Sequence, residues 1–517
     1  MPEATTLETT TPKITTPIYH YIREAVTDGE LPDDFSLRPY DRGDQELFMA
    51  DGAMDGMCIY HMARPELPAD LDAQIGSALM LASSGEPVAA DEAFSSLANK
   101  FRSIRIIDQV VDGVRTRRDQ LDPAMIYHYA KRLVLTSTDK ELLKIGLELF
   151  ELLREPDDQL KDAMRTLGLS DEFTTFVVFD MMMQWTNGND EIFRLVQKVH
   201  GWGRIHAIER LEPSTDEIRD WFLLEGVNNN IMPEYSALTC FNKSGLAERM
   251  ARGLSPKEFR GAGAVMEALV DEGPVEGISV LDDPAGTLGA YVDQARTQDV
   301  GTDDLSVISA IRRYARDKKM SGVVSACDDL LNSPDSRQKV TDAVSRGDVA
   351  AFTLAEQLGI PYHEELLKAM GTNFRWLFTR IGCLIDDERY IDQALELART
   401  GMPLDAIEQE PRDESGLGYG HFAYLALGFV LQPLCGHVLK GTDIVERALM
   451  SPVVRNRIEA HRVLRSWVSS KGVPLAELSP ELYARLGEAY DAEPKEDLRQ
   501  SMRPLLDGAI TFPKEDM

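Results

Sequence analysis

Signals that start an α-helix recur along this chain of 517 residues and constrain its fold more than any other feature. A proline follows a good capping residue at Asp122-Pro123, Ser255-Pro256, Ser451-Pro452 and Ser479-Pro480. The first N–H group of a helix has no helical partner, so proline is tolerated there and the residue before it caps the helix. Each pair therefore predicts that a helix begins at its proline.

Reciprocal capping and apolar spacing extend this pattern. In a capping box, a Ser or Thr side chain and a Glu three residues later each accept from the other residue's backbone N–H. The sequence contains three such pairs, Thr138 with Glu141, Ser214 with Glu217, and Ser255 with Glu258. Apolar residues recur at helical spacing, for example within residues 192–199 and 391–398. The best candidate for a strand, residues 277–281, is too short to matter, so we predict an all-α fold.

Two distant segments, residues 204–211 and 457–464, share the pattern Arg-Ile-x-Ala-x-x-x-Leu. In each, Ile, Ala and Leu lie on or near one helix face, and the small Ala lets a neighbouring helix approach closely. These residues resemble the second helix of a HEAT repeat, a family in which the Arg pairs with acidic residues of adjacent repeats. The resemblance covers residues 122–510 and implies an α-solenoid of antiparallel helix pairs. The alternative is a multi-domain helical bundle.

The predicted organisation has three parts. Residues 1–17 are rich in Thr and Pro and predict a disordered tail. Residues 18–118 mix short helical stretches with Gly, Pro and Asp and predict an irregular helical N-terminal cap. Residues 119–517 predict the HEAT-like array. A chain of this length exceeds one compact core, so several domains or an elongated array are expected.

Charge and cysteine content limit the partners and the compartment. The formal net charge of −31 disfavours nucleic acid, whose binders need Lys and Arg, and disfavours anionic membranes. No apolar run approaches the length of a membrane span, and the N-terminus lacks the pattern of a signal peptide. The five cysteines are scattered and odd in number, which is typical of a reducing cytosol. We therefore expect a cytoplasmic protein that binds neither nucleic acid nor membrane.

Motifs that carry chemistry are missing from the sequence. It contains no P-loop, no Gly-x-Ser-x-Gly and no His-Glu-x-x-His. The nearest pairs of metal ligands are Cys58 with His61 and Cys435 with His437, whereas a structural zinc site needs four ligands. The sequence therefore identifies no catalytic residue, and we predict no metal site and no bound cofactor.

Three segments are candidates for binding a partner. The first surrounds Trp202 with glycines and contains Arg204 and His206, and Trp and Arg are common interface anchors. The second is an amide-rich loop, and the third is a glycine-rich hinge before an apolar helix. Their candidate residues are Asn228, Asn229 and Asn230 in the loop, and Tyr419 and His421 in the hinge. Turn chemistry and a packed tryptophan are the alternative interpretation.

A wider resemblance rests on residues 201–212, Asn229-Asn230, residues 271–274 and residues 451–457. Together they look like a largely uncharacterised bacterial family whose members are sometimes labelled limonene hydroxylase. That resemblance implies a monooxygenase acting on a small apolar terpene. Oxygen activation requires haem, flavin, copper or iron. The residues around Cys435 lack the glycine and arginine of a haem-thiolate loop, and we transfer no catalytic residue.

The sequence therefore supports two hypotheses about function. The first is a non-enzymatic cytosolic scaffold or binding protein that holds a protein or peptide on the concave face of a helical solenoid. The second is a small-molecule monooxygenase, an oxidoreductase with an unrecognised cofactor site. The oligomeric state and the identity of the partner stay open.

Overall fold

The computed structural model describes residues 15–41, 49–63, 66–153, 155–416 and 422–512. Throughout these ranges the regular secondary structure is helical, apart from two isolated bridges that pair Thr27 with Glu30 and Glu414 with Val453. The predicted all-α fold is confirmed. Contacts divide the chain into unit 1, Met1–Asp299 with Ala310–Cys327, and unit 2, Val300–Ser309 with Asp328–Met517.

Unit 1 is built from short helices in which chain neighbours pack together. Short 3-10 turns lie at Arg38–Tyr40, Leu149–Leu152 and Ile278–Val280. The α-helices are α1 (Ile18–Ala25), α2 (Ala53–Tyr60), α3 (Leu71–Ser83), α4 (Pro87–Phe101), α5 (Ser103–Thr116), α6 (Pro123–Thr136), α7 (Lys140–Glu148), α8 (Asp158–Leu167), α9 (Thr174–Gln184), α10 (Gly188–Val196), α11 (Gly201–Arg210), α12 (Asp216–Leu224), α13 (Glu234–Ser244), α14 (Leu246–Arg252), α15 (Pro256–Val270) and α16 (Pro284–Ala295).

The next two helices, α17 (Thr302–Asp317) and α18 (Ser321–Leu331), contribute residues to both units. Unit 2 has 3-10 turns at Phe378–Arg380 and Leu404–Ala406. Its remaining helices are α19 (Pro334–Ser345), α20 (Val349–Leu358), α21 (His363–Leu377), α22 (Ile381–Ile385), α23 (Ile391–Gly401), α24 (Phe422–Leu434), α25 (Thr442–Leu449), α26 (Val454–Lys471), α27 (Leu475–Leu478), α28 (Pro480–Ala492) and α29 (Glu496–Leu506).

Three of the predicted helix starts are correct because capping is a local interaction. Asp122 and Ser479 cap α6 and α28, and Ser255 forms the predicted capping box with Glu258 at α15. Three other starts are shifted. Asp139, not Thr138, caps α7, and Thr215, not Ser214, caps α12. The helix predicted at Pro452 begins at Val454, because the Ser451 hydroxyl accepts from the Val453 N–H at 3.2 Å.

Helix α7 lies at the centre of unit 1 and is buried from Leu142 to Glu148. It packs against α4, α5, α6 and α9, so the predicted boundary after residue 118 falls inside one compact unit. The predicted tail lies outside the described residues up to residue 14. At its end, the carbonyl of Thr16 accepts from the Tyr40 hydroxyl at 3.0 Å.

The repeated Arg-Ile-x-Ala-x-x-x-Leu pattern lies in α11 and α26, and its Arg is buried in both. Arg457 forms a doubly hydrogen-bonded ion pair with Glu493, at 2.7 Å for each bond, and both side chains are fully buried. Arg204 instead donates to the carbonyl of Glu225 at 2.8 Å. The two copies of the pattern therefore both lie in buried helices, but their Arg side chains have different partners. No helix within the described ranges combines the length and apolarity needed to cross a membrane.

Candidate functional site

The first two predicted binding segments meet in unit 1. The backbone N–H of Gly201 donates to the carbonyl of Asn229 at 2.7 Å, which ties the start of α11 to the amide-rich loop. The Asn229 side chain is fully buried. Its Oδ1 accepts from the N–H groups of Ile231 and Met232, and its Nδ2 donates to the Met232 carbonyl and the Ser236 hydroxyl. Asn229 therefore shapes the loop, and its amide is not available to a partner.

A cavity of about 490 Å³ lies beside this junction, and we call it the acidic pocket. Its apolar wall includes Leu31, Phe35, Val199 and Ile231. Its polar lining includes Asp33, Asp51, Ser170, Asp171, Lys198, His200 and Asn230. The volume falls within the range of about 300–1,000 Å³ that is usual for ligand sites.

Asp171 is the central carboxylate of the acidic pocket. It accepts from the backbone N–H of Trp202 at 3.1 Å and from that of Gly203, so it caps the start of α11 from outside the helix. Burial raises the pKa of Asp171, the charges of Asp51 and Glu172 add to the increase, and the two N–H donors oppose it, so that the pKa is about 7. At neutral pH this carboxyl is therefore divided between its protonated and ionised forms.

Asp51 is the second carboxylate of the acidic pocket. It accepts from the backbone N–H of Leu37 at 2.9 Å. Burial and the charge of Glu172 raise the pKa of Asp51 to about 6, against the opposing effects of the Leu37 N–H and of Lys140. Within the described part of the chain, neither Asp51 nor Asp171 forms an ion pair. Two desolvated carboxylates thus line one cavity, and neither is paired with Lys198, which lines the same cavity.

The glycines around Trp202 allow this close approach. Gly201 has a φ of +57°, and a Cβ there would lie 2.0 Å from Oδ2 of Asp171. A Cβ at Gly203 would lie 2.4 Å from the Thr174 hydroxyl oxygen. Any side chain at either position would push α11 away from Asp171. The Gly-Trp-Gly sequence therefore positions the helix end against the pocket carboxylate.

An ion network lies behind the acidic pocket, around the fully buried Lys144. Its Nζ lies 2.6 Å from Asp55, 2.6 Å from Glu172 and 3.1 Å from Glu141. Burial alone would lower the pKa of Lys144, but these three carboxylates hold it well above its ordinary value. Arg102 lies 3.7 Å from Asp55. Three carboxylates against two cations leave one negative charge, and the field of Glu172 extends to both pocket carboxylates.

The predicted anchors of α11 lie in the core. Trp202 is 6% exposed and packs against Tyr235, with ring centroids 5.0 Å apart. His206 stacks on Tyr60, and burial lowers the pKa of His206 to about 4. Burial likewise lowers the pKa of Arg204. These three side chains hold α11 in place and leave little surface for a partner.

The other residues predicted to bind a partner lie in the amide-rich loop and in the glycine-rich hinge. Asn228 is exposed, and its amide donates to Glu225 at 3.2 Å. Asn230 is exposed, has a φ of +63°, and lines the acidic pocket. Tyr419 and His421 lie outside the described residues. Partner binding by these residues stays a prediction.

The histidines of the two candidate ligand pairs make other contacts within the described residues. No group of three or more His, Cys, Asp or Glu in that part of the chain is arranged to hold a metal ion. His61 instead hydrogen-bonds the Tyr235 hydroxyl at 2.6 Å, and His437 lies 3.6 Å from Asp386. Burial raises the pKa of the Cys435 thiol, which opposes the thiolate that a haem-thiolate site requires.

Sequence reasoning missed the two carboxylates that define the pocket. Asp51 and Asp171 are far apart in the chain and belong to no motif. Their raised pKa values arise from burial, which exists only after α2, α9 and α11 have packed together. The glycines on either side of Trp202 were the one available signal.

The fold and this site define an all-α protein with an acidic, partly apolar pocket. No protein-family model, no curated protein and no solved structure matches the chain.

Proposed function

We propose that this protein binds an extended protein or peptide partner, and that the acidic pocket receives a basic side chain of that partner. The observation that carries the proposal is the pair Asp51 and Asp171, which line one cavity and form no ion pair with any described residue, although Lys198 lines the same cavity. A desolvated carboxylate is unfavourable by itself, and an incoming guanidinium or ammonium supplies the missing charge.

The wall of the acidic pocket suits the rest of such a side chain. Leu31, Phe35 and Val199 offer an apolar surface to the methylene stem of Arg or Lys. Long basic side chains bury their stems in this way while the charged group reaches polar atoms. A volume of about 490 Å³ holds one such side chain together with neighbouring atoms of its peptide.

The rim of the pocket offers groups for the backbone of a partner. The exposed Asn230 lines the cavity and Asn228 lies two residues before it. A side-chain amide both donates and accepts, so it pairs with either group of a peptide bond. These two asparagines would therefore orient the chain that carries the basic side chain.

A cytoplasmic location belongs to the same proposal. Its support is that all five cysteines are free, as expected in a reducing compartment. The monooxygenase activity that the family resemblance implies remains an alternative, and no observation within the described residues favours it.

The test is a selection of peptides from a random display library on the full chain. We expect the selected peptides to share an Arg or Lys at one fixed position. The combined substitution Asp51→Asn and Asp171→Asn should weaken their binding by about tenfold or more. The matched control is Asp34→Asn, an exposed carboxylate outside the pocket, which should leave binding unchanged.

Two results would contradict the proposal. One is a set of selected peptides without a shared basic position. The other is equal affinity for the wild-type chain and for the double variant, provided that circular dichroism shows the variant to be as helical as the wild type.

A further inference from the structure

A second cavity of about 530 Å³ in unit 1 has the opposite charge, and we call it the basic pocket. Four cations line it, Arg23, Arg165, Arg194 and Lys198, together with the carboxylate of Glu191. The lining therefore carries a formal charge of +3, as four minus one, on a chain whose net charge is −31. Such a local reversal of sign concentrates anions at one place on an otherwise repelling surface.

Only part of this positive charge is compensated. Glu191 accepts from Nε and Nη2 of Arg165, at 3.1 and 3.0 Å, and lies 3.2 Å from Arg194. Arg165 also pairs with Asp162 at 2.7 Å, so the cluster retains a charge of +2 when Asp162 is included. Arg23 and Lys198 are exposed and form no ion pair with any described residue. These two cations are available to a ligand.

The floor of the basic pocket is apolar. Met181 and Leu195 are buried, and Leu169 is half-buried beside them. An inorganic ion would use the cations and leave this floor uncovered. A ligand that joins an anionic head to an apolar body would use both surfaces.

Gly29 leaves room for the Lys198 ammonium. Its φ is +86°, and a Cβ at this position would lie 3.1 Å from Nζ of Lys198. The residue lines the same cavity, so the bare backbone allows the ammonium to sit at the mouth of the pocket. The turn after α1 thus helps to form the cationic site.

We propose that the basic pocket binds an organic phosphate monoester with an apolar body. A phosphate monoester carries close to two negative charges at neutral pH, which matches the residual charge of +2. Guanidinium and ammonium groups are the usual partners of phosphate oxygens. This site goes beyond the proposed peptide function and does not depend on it, although Leu169 and Lys198 line both cavities.

The test is a calorimetric titration of the full chain with hexyl phosphate at pH 7.5 and low salt. We expect saturable binding at one site, weaker binding of inorganic phosphate, and no binding of hexanol. The substitutions Arg23→Glu and Lys198→Glu together should weaken the affinity by about tenfold or more. Lys257→Glu is the control, because Lys257 is exposed in the same unit and lies outside the pocket.

The outcomes separate this site from the acidic pocket. The combined Asp51→Asn and Asp171→Asn substitution should not weaken hexyl phosphate binding. The proposal is overturned if the wild type shows no saturable binding, or if Lys257→Glu weakens it as much as the pocket substitutions do. Hexanoate binding as tight as hexyl phosphate would overturn the assignment to a phosphate.

Discussion

The substitution Asp171→Asn should change the pH dependence of stability in a defined direction. Because the folded state raises the pKa of Asp171, it holds a proton to a higher pH than the unfolded chain does. This carboxyl therefore favours folding below its ordinary pKa of 3.8, and that contribution is lost as the pH rises through about 7. Asparagine carries no charge at any of these pH values, so it avoids the loss.

The size of this effect on the free energy of unfolding follows from the shift in the pKa of Asp171. A change from 3.8 to about 7 corresponds to about 4 kcal/mol at about 1.4 kcal/mol per pH unit. Asp171 is partly open to solvent, which reduces this to about 2 kcal/mol. Most of the change lies between pH 5 and pH 8, where we expect the variant to gain about 1–2 kcal/mol relative to the wild type.

The loss of a hydrogen bond does not obscure this result. Asparagine has one carbonyl oxygen in place of two carboxylate oxygens. It therefore retains only part of the hydrogen bonding to the backbone N–H groups of Trp202 and Gly203. The lost bond costs about 1 kcal/mol at every pH and shifts the whole profile without changing its slope. Urea denaturation followed by circular dichroism at pH 5 and pH 8 measures the difference. Parallel profiles for wild type, Asp171→Asn and the control Asp34→Asn would refute the reasoning.

Four further substitutions test the cores of the two units by urea denaturation. Lys144→Met removes the buried cation that contacts Asp55, Glu141 and Glu172, and leaves only the more distant Arg102 beside Asp55 and Glu141. It should lower the free energy of unfolding by about 3–5 kcal/mol, and a loss below about 1 kcal/mol would contradict the buried network. Arg457→Met should cost about as much, and adding Glu493→Met should restore most of the lost stability; no recovery in the double variant would show instead that the bonds from Arg457 to backbone carbonyls dominate. Gly56→Ala places a Cβ 2.2 Å from the Trp202 ring and should cost about 1–3 kcal/mol, with a shifted tryptophan emission; unchanged stability and emission would contradict the packing.

The fold class was predictable because helix starts are encoded locally. Asp122, Ser255 and Ser479 cap their helices as the sequence indicates, since each bond joins residues three apart or closer. The predicted helix start was wrong where two residues that can cap a helix are adjacent in the sequence. Thr215 replaces Ser214 at the start of α12, and a sequence pattern gives no means of choosing between them.

The candidate site was predictable only in part. The sequence singled out the glycines beside Trp202 and the asparagine loop, and the structure joins them through Gly201 and Asn229. It did not reveal that α11 is buried on nearly every side from Gly201 to Ile208, which places its Trp, Arg and His side chains in the core. The pocket carboxylates were hidden because desolvation depends on tertiary packing.

The pH dependence of peptide affinity tests the central claim most directly. A basic side chain binds the ionised forms of Asp51 and Asp171, whose pKa values are raised to about 6 and about 7. Peptide binding should therefore release protons, and the affinity of a selected basic peptide should rise by about tenfold or more from pH 5.5 to pH 8. The combined substitution Asp51→Asn and Asp171→Asn should abolish this rise. An affinity of the wild-type chain that stays constant or falls over this range would contradict the claim.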